Sequence, residues 1–160
     1  MTSAPPRAPL THSSAGRPRL LVVDDDRGVR LALARALTRF DYDVVLAASG
    51  PEALDQLASD PDIAAMVSDL DMAPMDGVEL GRRARQYRPA LPIVFVTGRP
   101  RSVDLRSQPP AHVQAKPTDL TELCAALDTL VHRHDHVPHR PDLADSPRPT
   151  DHTGHSVADT

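Results

Sequence analysis

Short apolar runs alternate with amphipathic stretches along most of the chain. The first four runs are RLLVVD, YDVVLA, IAAMVSD and LPIVFVT, and such largely apolar segments are typical of buried strands. A fifth, briefer strand is predicted at HVQA. The stretch after the first run repeats apolar residues at helical spacing, at Val29, Leu33, Ala36, Leu37 and Phe40. This alternation predicts an α/β fold, a doubly wound five-stranded parallel sheet with helices on both faces.

The later helical stretches differ in how clearly they are bounded. Ser49 and Glu52 are spaced as a capping box at the start of the second one, and a proline falls in its first turn. The stretches 77–87 and 118–134 each carry one apolar edge and predict further helices. Residues 99–111 are rich in proline and polar side chains, so we expect at most one short helix there.

Both ends of the chain lack this pattern. Residues 1–18 are rich in Pro, Ser, Thr and Arg, and residues 134–160 alternate His, Pro, Asp and Ser with few apolar side chains. Neither segment can bury enough apolar surface to fold alone. The sequence therefore predicts one folded domain over 19–133, between a disordered lead-in and a disordered His/Pro-rich tail.

Composition narrows the classes of function. Phe and Tyr number two each and Trp is absent, which argues against base stacking, and the net charge of −4 argues against nucleic acid as the main partner. Cys124 is the one cysteine, so an internal disulfide is excluded and a small core residue is expected. No apolar run reaches the roughly 18 residues of a membrane span. We expect a cytoplasmic protein without membrane contact.

Polar residues stand where the predicted strands end. They are Asp24, Asp25 and Asp26 at the first strand, Asp69 at the third, Thr97 at the fourth and Lys116 at the fifth. The carboxyl ends of parallel strands converge on one crevice, where ligands bind. Carboxylates this close repel one another, so they either stay partly protonated or hold a cation, and Mg²⁺ prefers oxygen ligands. With a lysine and a hydroxyl beside them, the set suits phosphoryl transfer onto a carboxylate.

Lys116 stands out from the other basic residues. Lysine and arginine together number 18, and Lys116 is the only lysine among them. An ordinary surface cation in this chain would be arginine. The alternative, a surface lysine that merely follows a strand, stays open on this observation alone.

These residues lie in motifs that resemble the receiver domain of two-component response regulators, over about residues 19–133. VVDDDRGVR resembles the acidic opening of that family, SDLDMAPMDGVEL its phosphoacceptor loop, VFVTG its Thr/Ser strand and AKP its Lys-Pro pair. The four motifs follow the order of the family. The resemblance implies a flavodoxin-like receiver fold with strand order 2-1-3-4-5.

The resemblance implies a Mg²⁺ site made of carboxylates. Asp24, Asp25 and Asp69 would hold the ion, Asp25 as a direct ligand, together with the backbone carbonyl of Asp71. Asp26 has no role in the family pattern, and we interpret it as a solvated turn residue or a helix cap.

The resemblance also implies the chemistry. Asp69 would accept the phosphoryl group, Thr97 would bind a phosphoryl oxygen, and Lys116 would pair with Asp69 or its phosphate. Mg²⁺-dependent transfer would come from the phosphohistidine of a histidine kinase or histidine phosphotransferase. Apart from self-catalysed phosphorylation and dephosphorylation, no enzyme activity is expected.

No DNA-binding helix pair or output enzyme is predicted after the receiver, because only residues 134–160 follow and they lack periodicity. We therefore expect a stand-alone response regulator that acts as a switch or as a phosphorelay element. Its output would pass through an unknown downstream protein, since phosphorylation can bias a two-state surface.

Two positions and one segment depart from the family pattern. Receivers usually carry proline four residues after the phosphoacceptor, where this chain has Ala73 and places its proline one residue later. Three residues before the lysine, Val113 replaces the usual aromatic switch residue. The proline-flanked segment 100–110 falls where receivers build their fourth helix. The signalling relay and the output face are therefore expected to differ from the usual ones.

Asp71 and Arg99 each lie two residues after a key position, the phosphoacceptor and the threonine. In receivers these two positions face the phosphoryl group and influence its hydrolysis. We expect them to alter the rate of dephosphorylation, with the direction left open.

Three alternatives come from other classes. The Asp-x-Asp of SDLDM also fits a haloacid-dehalogenase-like phosphatase, although in that family the nucleophile motif comes early and the acidic pair late. A receiver-like module could also work by protein contact without phosphorylation. Finally, His132, His134, His136 and His139 could capture Zn²⁺ or Ni²⁺, although a proline-containing tail offers no second shell of support and favours a solvated tail.

Overall fold

The sheet contains five parallel strands. They are β1 (Arg19–Val23), β2 (Asp43–Ala47), β3 (Ile63–Asp69), β4 (Ile93–Thr97) and β5 (Ala111–Ala115). The helices are α1 (Arg27–Arg39), α2 (Gly50–Ser59), α3 (Gly77–Tyr87) and α4 (Leu120–Asp135). The computed structural model describes residues 16–99 and 111–135. The strand order is β2-β1-β3-β4-β5, which confirms the predicted doubly wound, flavodoxin-like receiver fold.

Each face of the sheet carries its own hydrophobic cluster. Leu21 of β1 packs in one cluster with Leu80 of α3, and its neighbour Leu20 packs in the other with Leu127 of α4. All four side chains are fully buried. Alternate residues of one strand thus enter different clusters, which is why β1 is apolar from Leu20 to Val23 and β4 from Ile93 to Val96. Cys124 lies buried in the second cluster, as expected of a small core residue.

Aspartates are the N-cap residues of two helices, α1 and α3. Oδ1 of Asp26 accepts a hydrogen bond from the backbone N–H of Val29 at 3.0 Å, and Asp76 caps α3 in the same way through Glu79 at 2.8 Å. These oxygens satisfy N–H groups that a helix leaves without an intrahelical partner. The interpretation of Asp26 as a helix cap is confirmed.

The predicted capping box of α2 is present in a modified form. Oγ of Ser49 accepts from the N–H of Glu52 at 3.3 Å. The carboxylate of Glu52 accepts from the N–H of Ala48 at 2.8 Å, one residue before the position that a capping box uses. The start of α2 is held by both bonds.

The apolar stripe of α1 is not buried along its whole length. Leu37 is fully buried, but Val29 is 42% exposed and Phe40 is 48% exposed. A helix of 13 residues is about 20 Å long and a strand of five about 17 Å, so the ends of α1 reach the margins of the sheet. The shared helical spacing of the five apolar residues therefore does not make all of them core residues.

Several predictions fall outside the described residues. They are the short fourth helix within 99–111, nearly all of the lead-in 1–18 and the tail beyond Asp135. The last helix reaches Asp135, one residue further than predicted. Within residues 16–99 and 111–135, no helix is long and apolar enough to cross a membrane.

Candidate functional site

The polar residues at the strand ends meet at one edge of the sheet. Asp69 ends β3, Thr97 ends β4, and Asp24 and Lys116 directly follow β1 and β5. The parallel register brings the ends level, because Asp69 is paired with Val96 and Thr97 with Ala115. Both aspartates and the threonine are buried. The expected convergence of these side chains is therefore present.

Three carboxylates form a compact cluster at this edge. One oxygen each from Asp24, Asp25 and Asp69 can be chosen so that all three lie within 4.8 Å of one another. Asp25 is exposed, whereas the other two are buried. An all-oxygen donor set that opens to solvent on one side fits a hard divalent cation such as Mg²⁺.

The cluster is electrostatically costly without a cation. Burial raises the pKa of Asp24 above its ordinary value, and the charges of Asp69 and Asp25 act in the same direction. The backbone N–H of Asp26, 2.8 Å from Oδ1 of Asp24, and the charge of Lys116 oppose this rise without cancelling it. The residues present thus favour a positive charge among them.

Lys116 supplies one such charge. Its Nζ lies 3.1 Å from Oδ1 of Asp69 and 3.7 Å from Oδ2 of Asp24. The backbone N–H of Lys116 donates to the backbone carbonyl of Thr97 at 2.8 Å. Burial lowers the pKa of Lys116, but the hydrogen bond to Asp69 and the nearby carboxylates outweigh it, so the pKa lies above its ordinary value. Lys116 is a charged bridge between two buried carboxylates, so it is not a generic surface lysine.

A second polar group surrounds Thr97. Its Oγ1 donates to Oδ2 of Asp71 at 3.5 Å and accepts from the backbone N–H of Arg99 at 3.0 Å. The guanidinium of Arg99 lies 3.4 Å from Oδ1 of Asp71, and the N–H of Asp71 donates to Oδ1 of Asp69 at 3.3 Å. Asp69, Asp71, Thr97 and Arg99 are thus joined by one chain of polar contacts.

Backbone packing holds the loop after Asp69 in place. Met72 and Met75 of this loop are buried in the first cluster. A Cβ at Gly77 would lie 2.3 Å from the carbonyl oxygen of Asp69, so only glycine allows α3 to start this close to β3. The N–H of Gly77 also donates to the carbonyl of Leu70 at 3.1 Å.

Two contacts at the site carry no signal in the sequence. Nη1 of Arg30 donates to the carbonyl of Asp24 at 2.6 Å and so ties α1 to the acidic turn. Oγ of Ser68, fully buried, donates to the carbonyl of Asp69 at 2.8 Å. Both residues support backbone rather than a ligand, so no pattern of ligand-binding residue types could have revealed them.

Comparison with known proteins decides the family. A family model described as the response regulator receiver domain matches residues 20–128. The chain belongs to the response regulator receiver family. The curated response regulator MprA of Mycobacterium avium (strain 104) is 43% identical to this receiver over 123 residues, covering 72% of this chain and 51% of MprA. This chain thus spans about half the length of the curated relatives it matches.

Solved structures share the fold. A response regulator receiver protein from Sinorhizobium medicae WSM419 is 28% identical, with a TM-score of 0.66, over 72% of this chain and 95% of that one. A sensor protein from Polaromonas sp. JS666 is 32% identical, with a TM-score of 0.68, over 73% of this chain and 98% of that one. Membership in the receiver family rules out the haloacid-dehalogenase-like alternative.

The departures from the receiver pattern have clear local settings. The peptide bond Ala73–Pro74 is cis, and Met75 stays buried despite the shifted proline. Val113 of β5 is only partly buried, packs against the first cluster and is paired in register with the fully buried Phe95 of β4. The strand residue paired with Val113 is thus an aromatic side chain buried in the core.

Proposed function

We propose that this receiver is a phosphoacceptor that takes a phosphoryl group on Asp69 from the phosphohistidine of a histidine kinase or histidine phosphotransferase. The observation that carries the proposal is the position of Asp69, whose Oδ1 lies 3.1 Å from Nζ of Lys116 within the cluster shared with Asp24 and Asp25. A buried carboxylate held beside one cation and next to a divalent-cation site has the surroundings that phosphoryl transfer needs.

The proposed transfer is a substitution at phosphorus. A carboxylate oxygen of Asp69 attacks the phosphorus atom, the P–N bond to the donor imidazole breaks, and the imidazole nitrogen takes a proton from solvent. Mg²⁺, bound by Asp24, Asp25, Asp69 and the carbonyl of Asp71, would offset the negative charge of the carboxylate and the phosphoryl oxygens. Hydrolysis reverses the state, because water attacks phosphorus and the bond to Asp69 breaks with release of inorganic phosphate.

Two residues of the chain stabilise the charge that develops on the phosphoryl oxygens. Lys116 is already charged and directed at Asp69, so its ammonium needs little rearrangement to contact an added phosphoryl oxygen. Thr97 ends the neighbouring strand and offers a hydroxyl donor. Their placement on adjacent strand ends supports a preorganised site.

We further propose that the protein works in the cytoplasm as a switch or a phosphorelay element. Its output would then pass through a protein partner. Stand-alone action is part of the proposal, since the curated relatives are about twice as long as the region they share with this chain.

The test measures covalent attachment of a phosphoryl group to the protein. The purified chain is incubated with acetyl phosphate and Mg²⁺, and phosphoryl incorporation is followed by intact-protein mass spectrometry, with Asp69→Asn as the control. We expect incorporation in the wild type and none in the variant. If the mass of neither protein increases on incubation, a module that acts by contact without phosphorylation is favoured.

A further inference from the structure

The carboxylate of Asp71 contacts two hydrogen-bond donors beside the phosphoacceptor Asp69. Oδ2 accepts from the hydroxyl of Thr97 at 3.5 Å, and Oδ1 lies 3.4 Å from the guanidinium of Arg99. The same carboxylate is tied to the acceptor, because the N–H of Asp71 donates to Oδ1 of Asp69 at 3.3 Å. An anion of the chain itself thus lies where the donors for a phosphoryl group are found.

The hydroxyl of Thr97 cannot serve two anions at once. A hydroxyl has one hydrogen to donate, and phosphoryl oxygens without a proton can only accept hydrogen bonds. The buried Thr97 already accepts the backbone N–H of Arg99 at 3.0 Å, which leaves its single hydrogen for one acceptor. Asp71 takes that hydrogen in the unphosphorylated protein.

The ion pair of Asp71 and Arg99 is exposed, and its partners can separate into water. Their side chains are 52% and 79% exposed, so water can solvate both partners after they separate. Exposed pairs contribute little to stability, and a nearby doubly charged group is a stronger partner for a guanidinium than one carboxylate is. The pair can therefore be exchanged at low cost.

We propose that Asp71 is an internal competitor of the phosphoryl group: it holds Thr97 and Arg99 in the unphosphorylated receiver and releases both when Asp69 is phosphorylated. The inference rests on the proposed function and adds a switching contact to it. When Arg99 leaves Asp71 for the phosphoryl group, the surface beside the site changes. This contact would add to the switch in a receiver that has Val113 at the position of the usual aromatic switch residue.

The competition is tested with beryllofluoride, a tetrahedral analogue of the phosphoryl group, titrated by calorimetry at saturating Mg²⁺. Asp71→Asn keeps the shape of the side chain and removes its charge, so we expect about two- to fivefold tighter binding, the range of an exposed ion pair. Arg99→Ala is expected to weaken binding. Asp55→Asn, an exposed aspartate of α2, is the matched control for the loss of one negative charge and should match the wild type.

The double variant Asp71→Asn/Arg99→Ala separates competition from a general charge effect. If Asp71 acts by holding Arg99, the gain from Asp71→Asn shrinks in the Arg99→Ala background. An equal gain in both backgrounds, or no gain in either, overturns the inference while Asp69-dependent binding keeps the proposed function intact. Failure of the wild type to bind beryllofluoride, as with Asp69→Asn, overturns the proposed function itself and the inference with it.

Discussion

The ammonium nitrogen of Lys116 lies between two buried carboxylates, 3.1 Å from Oδ1 of Asp69 and 3.7 Å from Oδ2 of Asp24. These three residues come from different strand ends and are separated by up to 92 positions, from Asp24 to Lys116 (116 − 24). Their contact makes the site a balance of charges, and a change to any one member is expected to alter both cation binding and stability.

Lys116→Met removes the internal cation. We expect unfolding free energy in Mg²⁺-free buffer to fall by about 1–2 kcal/mol, a value reduced from that of a fully buried pair because about a third of the side chain is exposed to water. Affinity for Mg²⁺ should rise, since a competing positive charge is gone. Chemical denaturation and calorimetric Mg²⁺ titration measure the two effects. Lys116→Arg keeps the charge as a control, and an unchanged Mg²⁺ affinity in the Met variant would contradict the charge balance.

Asp25 and Asp26 are adjacent but are expected to behave differently. Asp25→Asn should weaken Mg²⁺ binding about tenfold or more, because it removes a proposed ligand. Asp26→Asn should leave the affinity near that of the wild type, since Asp26 caps α1 through the N–H of Val29 and asparagine caps equally well. The melting temperature as a function of Mg²⁺ concentration reports both, because a ligand at about 100 times its Kd stabilises by about 2.7 kcal/mol. Equal losses in the two variants would argue against this division of roles.

Gly77 and Gly98 provide a matched pair for testing the close approach of α3 to β3. A Cβ at Gly77 would lie 2.3 Å from the carbonyl oxygen of Asp69, whereas one at Gly98 would meet nothing within 4 Å. We expect Gly77→Ala to destabilise by about 1–3 kcal/mol, because backbone has to shift, and to slow phosphorylation of Asp69. Gly98→Ala should be nearly neutral. Urea unfolding with intact-mass phosphorylation assays compares them, and equal stability would remove the steric argument.

Tyr42 gives a pH dependence that is remote from the site. Burial raises the pKa of Tyr42 above its ordinary value of 10.0, and the hydrogen bond that its hydroxyl donates to Asp128 adds to the rise. The unfolded chain therefore loses this proton first. The stabilising contribution of Tyr42 is complete below about pH 10 and is lost as the pH rises through the folded-state pKa.

Tyr42→Phe tests this sign. The variant should be less stable than the wild type by about 0.5–1.5 kcal/mol at neutral pH, and the difference should narrow above about pH 10. Tyr87→Phe, at an exposed tyrosine, is the control and should follow the wild type at every pH. A Tyr42→Phe deficit that grows with alkaline pH would reverse the assignment.

Most of the fold could be read from local patterns. Residues buried on both faces of a strand leave continuous apolar runs, and the one permitted hand of strand-helix-strand connections limits how such strands can be ordered. Local spacing left burial undetermined at the ends of the apolar stripe of α1, where Val29 and Phe40 are about half exposed, since helical spacing tells which residues share a face but not how far the sheet extends beneath them. The receiver motifs, rather than composition, supplied the strand order.

The sequence by itself determined which residue types end the strands, and so placed Asp24, Asp69, Thr97 and Lys116 at one edge of a parallel sheet. Four motifs in order also predicted the receiver family, which the match of the family model over residues 20–128 confirms. The tertiary structure alone decided which of these side chains touch.

The bridge from Lys116 to two carboxylates and the pairing of Asp71 with Arg99 depend on distances between residues far apart in the chain. The requirement for glycine at position 77 depends on how closely a helix approaches a strand. Periodicity assigns a residue to a face or an edge, but contacts of a few ångströms follow from packing and rotamers, which no local pattern contains.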